Sequence, residues 1–249
     1  MKRNSDHPIW RYLTLDKFLS LLQARKLWFS RSDTFDDRWE GFSHALPASR
    51  KMSGGTTAAI EAYLDGVRLH DNWMRGSMKR VVFVSCWSAC PDESIPLWRI
   101  FAPGESGVAI RSTIPKFLKH VDMKSHFAVY YTDHVKYYDG KPTADFDYSK
   151  ELSASLETVC QINLRKRRCF EYEEEWRAVG IGKSHHKGKG VLVPVDLNSL
   201  VDRVVVSPLA SRAFLDTIRS VAIKSGLGVQ PERSTLERRL PRRPQPISK

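Results

Sequence analysis

The chain has 249 residues, 41% of them hydrophobic and 10% aromatic, with 40 basic against 28 acidic side chains. Seven Trp and eleven Phe supply a large core and exclude a disordered polymer. No apolar run approaches the roughly 18 residues that span a bilayer, so no membrane association is expected. The charged start Met1–Pro8 leads into no apolar core, which predicts no secretion signal and a cytoplasmic location.

Taken in chain order, Trp10-Arg11-Tyr12-Leu13 is a β-prone run, and Thr14 offers an N-cap to a helix striped with Leu15, Phe18, Leu19 and Leu22. Leu27-Trp28-Phe29-Ser30 is a second strand, running into the polar loop Arg31 to Asp37. After the Gly54-Gly55 break a helix is expected from about Thr57 to Arg75. Arg80 to Trp87 reads as a buried strand. Glu93 to Phe101 reads as a short helix whose start Pro96 restricts. Gly107 to Arg111 and Phe127 to Tyr131 are further strands. Ser149 caps a helix bearing Leu152, Leu156, Val159 and Asn163 on one face. Glu171 to Ile181, Val191 to Val195 and Arg203 to Val206 are strand-like, and Leu209 to Lys224 is a helix stopped by Gly226.

Strands interrupted irregularly by helices, with no repeating βαβ rhythm, predict an α+β fold. The expected form is a single domain over residues 1–230, with mixed, mostly antiparallel central sheets and several flanking helices. From Pro231 onward six basic residues face two acidic ones, a net +4 within the overall +12, and a disordered Pro/Arg-rich tail is expected over 231–249. The remaining excess permits a nucleic-acid partner without requiring one. Cys86, Cys90, Cys160 and Cys169 match neither a zinc site nor a disulfide framework and read as reduced thiols.

The strongest local signal is Tyr172-Glu173-Glu174-Glu175-Trp176-Arg177. On a strand Glu173, Glu175 and Arg177 share one face, while Tyr172, Glu174 and Trp176 share the other. Two neighbouring carboxylates raise the proton affinity of one of them, and the guanidinium partly compensates. The alternative is a solvated face with a surface ion pair. Asp36, Asp37 and Glu40, in Phe35-Asp36-Asp37-Arg38-Trp39-Glu40-Gly41, form a second acidic cluster. It lacks EF-hand spacing, and the sequence assigns no metal ligands. His185-His186 falls in a Gly/Lys-rich loop and reads as solvated. Ser85-Cys86-Trp87-Ser88 with Trp98 reads as core packing rather than a nucleophile site.

Together these pieces resemble the mostly bacterial family called domain of unknown function 2971 (DUF2971). The elements that carry the likeness are Trp10-Arg11-Tyr12, Leu27 to Ser30, Phe35 to Glu40, Ser85 to Ser88, Trp98, Gly107 to Ile110, Glu173 to Arg177 and Val205 to Pro208. Asp36 and Arg38 stand where the family has Asn and Pro. The order of a basic residue on the first strand, a Ser-bearing strand and a late Glu-x-Glu also resembles the Arg-Ser-Glu layout of ADP-ribosyltransferases. That resemblance implies NAD as substrate, with Arg11, Tyr12 and Ser30 holding it and Trp28 and Trp98 stacking on its rings. It further implies Glu175 as the catalytic carboxylate, Glu173 as its partner toward the acceptor, and a toxin or phage-defence role.

Three functions are therefore carried forward. The first is ADP-ribosyl transfer from NAD to a macromolecular, possibly nucleic-acid, acceptor. The second is a metal-dependent nuclease using Asp36, Asp37, Glu40 and the Glu173/Glu175 pair around Mg²⁺. The third is a non-enzymatic nucleic-acid- or protein-binding domain.

Overall fold

A computed structural model describes residues 7–37, 40, 78–139, 156–183 and 187–236 of the protein. The chain opens with β1 (Pro8–Leu13), α1 (Leu15–Ala24) and β2 (Lys26–Arg31). Next come β3 (Val82–Ser88), α2 (Ile95–Phe101), β4 (Val108–Thr113), α3 (Ile114–His120) and α4 (Met123–His126). The middle holds β5 (Phe127–His134), β6 (Lys136–Tyr138), α5 (Leu156–Ile162), β7 (Arg165–Arg167) and β8 (Glu175–Gly182). Last are β9 (Gly190–Pro194), α6 (Leu197–Leu200), β10 (Arg203–Val206), α7 (Arg212–Lys224) and β11 (Glu232–Arg233). The architecture is α+β with mostly antiparallel pairing, as the irregular alternation of elements predicts. Packing divides the chain into two units.

Unit one comprises Met1–Lys26, Trp87–Val121 and Pro194–Lys249. Its strands run in the order β11-β10-β4-β1. β1 lies antiparallel to β4 from Pro8↔Thr113 to Leu13↔Val108, and β4 antiparallel to β10 from Arg111↔Arg203 to Val108↔Val206. Trp10, Tyr12, Leu97, Trp98, Ala102, Ala109 and Val205 form its aromatic core. Pro96 sits in the first turn of α2, where a missing N–H costs nothing. α1 buries Phe18, Leu21 and Leu22 and ends at Arg25, which adopts the left-handed conformation at φ 48°.

The disordered tail expected from Pro231 is corrected over its first six residues. Glu232–Arg233 pairs with β10 in parallel, Ser234 is fully buried, and Leu236 packs on the aromatic core. Glu93 is the physical reason. Its buried carboxylate accepts from Ser234 Oγ at 2.6 Å, from Thr235 N and Oγ1 at 3.0 Å each, and from Trp98 Nε1 at 3.2 Å. Residues 237–249 lie outside the described part.

Unit two comprises Leu27–Cys86 and Asp122–Val193. Here β8 pairs with β3 on one side and β5 on the other, and β2 pairs with β3 and β9. The β5–β8 ladder runs from Phe127↔Gly182 to His134↔Trp176, with a bulge between Phe127 and Val129. Val82, Val84, Val159, Cys160, Leu164, Val179 and Ile181 make its core. Gly180 is required there, because an added Cβ would lie 2.3 Å from the Phe127 ring. β6 and β7 form a separate parallel pair that the sequence pattern does not reveal.

The expected strand from Glu171 to Ile181 is corrected at its start. Arg168–Glu173 is a 3-10 helix and Glu174 is left-handed at φ 42°, so β8 begins at Glu175. The helix expected at Thr57 to Arg75, the cap at Ser149 and the His185-His186 loop all lie outside the described residues. No helix among the described residues is long and apolar enough to cross a membrane.

Candidate functional site

The site is built in unit two where β8 leaves the left-handed Glu174. Glu175 and Arg177 alternate onto the same face of β8, as their spacing predicts. That face is not solvated: Glu175 is 4% exposed, Arg177 1% and Glu173 6%. The solvated-face alternative is therefore corrected, and the reason is a buried ion cluster.

Lys166, the central residue of β7, is the hub. Its Nζ lies 2.7 Å from Glu173 Oε2, 3.0 Å from Glu40 Oε1 and 3.3 Å from Glu175 Oε2. Arg177 Nη2 bridges Glu175 Oε2 at 2.8 Å and Glu40 Oε1 at 3.1 Å, and Nη1 donates to the Asn163 carbonyl at 2.8 Å. Asn163 is itself fixed, accepting from Ser32 Oγ at 2.6 Å and donating to the Val159 carbonyl at 2.8 Å. The Phe170 ring lies 4.7 Å from the Lys166 ammonium, and the Phe35 ring 5.7 Å from the Arg177 guanidinium. Tyr137, opposite Lys166 in the parallel pair, accepts at Oη from the Glu175 N–H at 2.8 Å.

Three carboxylates thus face two cations, leaving an excess of negative charge. Burial alone pushes the Glu175 carboxyl up, but Arg177 and Lys166 outweigh it and hold it below the usual carboxylate range. Burial also pushes Glu173 up, and Lys166 offsets this only in part, so Glu173 stays above that range. The Cys86 thiol is raised by burial and then by the Glu175 charge beside it. Burial lowers the Lys166 ammonium, yet Glu175 and Glu40 raise it further and keep it protonated. Adjacent carboxyls pushed in opposite directions are the arrangement by which one site holds a fixed anion beside a proton acceptor.

Of the residues singled out in the sequence, Glu173, Glu175, Arg177 and Glu40 come together. Asp37 lies apart from them on Arg167, held at 3.1 and 3.2 Å, and Asp36 is exposed. Among the described residues no group of three His, Cys, Asp or Glu is arranged to hold a metal ion. Trp28, 41% exposed, donates from Nε1 to Ser30 Oγ at 3.0 Å on β2, also in unit two. Arg11, Tyr12 and Trp98 belong to unit one. There the Arg11 guanidinium lies 5.7 Å from the Trp87 ring, and Tyr12 Oη accepts from Ser94 N at 2.8 Å. Trp98 is buried edge-on against Tyr12 with centroids 5.1 Å apart. Lys166 and Asn163 are the members that sequence reasoning did not select.

Residues 97–178 match the family model of Protein of unknown function (DUF2971). Over this segment the match agrees with the resemblance carried by the motifs. The segment contains Lys166, Glu173, Glu175 and Arg177, while Glu40 and Cys86 precede it. No curated protein matches the chain. Among solved structures, the chain is similar to Thermus sp. 2.9 DarT in complex with ADP-ribosylated ssDNA, at 11% identity and a TM-score of 0.42, over 96% of this chain and 99% of that one. It is also similar to the same organism's DarT in complex with NAD+, at 12% identity and a TM-score of 0.40, over 93% of this chain and 96% of that one.

Proposed function

We propose that the protein transfers ADP-ribose from NAD to a macromolecular acceptor, with Glu175 and Glu173 carrying the reaction. The observation that supports this reading is the pair of buried carboxyls on Lys166, one held ionised and the other raised toward a proton acceptor. In the transfer, the bond between ribose C1′ and the nicotinamide nitrogen breaks. Its electron pair stays with nicotinamide, which leaves neutral. Positive charge grows on C1′ and the ring oxygen, and a fixed anion stabilises it without reorganising. Glu175 is that anion, and the excess of carboxylates over cations gives the cluster the complementary sign. As the acceptor atom bonds to C1′, its proton passes to Glu173. The chain's charge of +12 favours a polyanionic acceptor, with nucleic acid as the fitting class.

A second reading, a non-enzymatic binding domain, is favoured by one observation: every charged group of the cluster is under a tenth exposed. Such a cluster also fixes the start of β8. Thermal unfolding with and without millimolar NAD separates the two. ADP-ribosyl transfer predicts protection by NAD together with nicotinamide release, the release lost in Glu175→Gln while the variant keeps its circular dichroism spectrum. No protection and no nicotinamide would leave the binding domain.

A further inference from the structure

We infer that Lys166 is a positioning residue that sets the proton affinity of Glu173, and thereby the pH at which the site accepts the acceptor's proton; this rests on the reading above. The contacts of the two carboxylates are unequal. Glu175 touches two cations, Lys166 at 3.3 Å and Arg177 at 2.8 Å. Glu173 touches Lys166 at 2.7 Å, and Arg177 directs its Nη atoms to Glu175, Glu40 and the Asn163 carbonyl instead. Removing the ammonium therefore leaves Glu175 with a partner and takes from Glu173 its close cation.

The other groups facing Glu173 work the same way. Glu175 and Glu40 repel its charge, and Tyr172, from the 3-10 helix, faces it as a neutral hydroxyl. Tyr137 on β6 is likewise held neutral, raised by burial and by the Glu175 and Glu173 charges. Nothing in this set replaces Lys166 as a counter-charge. Geometry holds the lysine in its role. β7 places it between Arg165 and Arg167, whose side chains take the opposite face, and the Phe170 ring covers the ammonium at 4.7 Å. Lys166 keeps its proton throughout: the acceptor's proton moves to Glu173 Oε as the bond to C1′ forms, and from there to solvent.

The test is the pH profile of nicotinamide release in wild type, Lys166→Met and Lys166→Arg, beside a ¹³C-carboxyl NMR titration of Glu173 in the same proteins. Loss of an opposite charge at this range moves a carboxyl by about one to three pH units. In Lys166→Met the acid limb and the Glu173 resonance should both move to higher pH by about that amount, and Lys166→Arg should restore most of it. In a Glu173→Gln background the limb set by Glu173 should be absent, and the further change Lys166→Met should not bring it back. Should Lys166→Met fail to fold, the double variant Glu40→Gln/Lys166→Met keeps the charge balance of the cluster. It should move the limb and the resonance in the same direction by a smaller amount, since it also removes the repulsion of Glu40. A purely structural lysine would lower the rate without moving the limb, and an unmoved limb or resonance overturns the inference. If wild type releases no nicotinamide, the transferase reading fails, while the NMR titration still decides the role of Lys166.

Discussion

Replacing Arg177 with Met tests whether the buried cluster is held by charge. The side chain is 1% exposed, and its loss removes contacts of 2.8 Å to Glu175 and 3.1 Å to Glu40 and the donor to the Asn163 carbonyl. Three carboxylates then remain on Lys166 alone. Breaking a buried pair by removing one partner costs about 3–5 kcal/mol, and an orphaned carbonyl adds about 1 kcal/mol. For a chain of this size each kcal/mol lowers Tm by about 2–4 °C, so a fall on the order of 10–20 °C is expected. Arg168→Met is the matched control. Its ion pair with Asp139 is 56% and 69% exposed, and loss of such a pair costs about 0–1 kcal/mol. Thermal unfolding followed by circular dichroism at neutral pH reads both. An Arg177→Met protein melting within about 2 °C of wild type, or no lower than Arg168→Met, would refute the reasoning.

The two carboxyls predict opposite pH dependences of stability. Glu175, held low against burial by Arg177 and Lys166, contributes stability that is present above its unfolded pKa of about 4.3 and lost as pH falls through its folded value. Glu173, raised by burial, contributes stability that is present below about 4.3 and lost as pH rises through its folded value. Denaturant unfolding across pH should therefore show Glu175→Gln flattening the loss of stability on the acid side, and Glu173→Gln flattening the fall in stability as pH rises above about 4.3; equal slopes in both variants would contradict the assignment. Gly180→Ala sets a methyl 2.3 Å from the Phe127 ring, which Phe29 and Phe83 flank at 5.3 and 6.2 Å. A loss of about 1–3 kcal/mol is expected, recovered in part by Phe127→Leu. Glu93→Ala leaves Ser234, Thr235 and Trp98 without their acceptor. Amide exchange at Thr235 should speed by at least about tenfold, and unchanged exchange would show that the carboxylate does not fasten this segment.

The sequence was most informative where one periodicity governs a whole element. The strands around Tyr12, Val84, Ile110 and Val205 and the helices at Phe18 and Ile218 follow from apolar spacing, because each buries one face or stripe. The common face of Glu175 and Arg177 follows from strand alternation for the same reason. Glu173 reaches the cluster by another route, through the left-handed turn at Glu174, a conformation that a glutamate does not advertise. Lys166 was hidden in Arg165-Lys166-Arg167-Arg168, where a charge run suggests solvent. Its signal was the alternation itself, since a lysine between two arginines on a strand faces the opposite way. Glu40 reads in the sequence as a loop acid suited to a metal, yet its partners are the ammonium of Lys166 and the guanidinium of Arg177, 126 and 137 positions later, and no local pattern encodes them. In the tail, Pro and Arg content points to disorder. The buried anchor of Ser234 and Thr235 is Glu93, more than a hundred residues earlier.

The central claim is that Glu175 stabilises a ribosyl cation formed from NAD. Transfer of label from NAD carrying ³²P in its adenylate phosphate, with single-stranded nucleic acid, protein extract and water offered as separate acceptors, tests it most directly. Wild type should transfer the label, with release of nicotinamide, in at least one arm. Glu175→Gln at unchanged fold should lose at least about a hundredfold, on the scale set by removal of one transition-state electrostatic contact. Equal turnover by wild type and a folded Glu175→Gln protein, or no turnover by wild type in any arm, would contradict it.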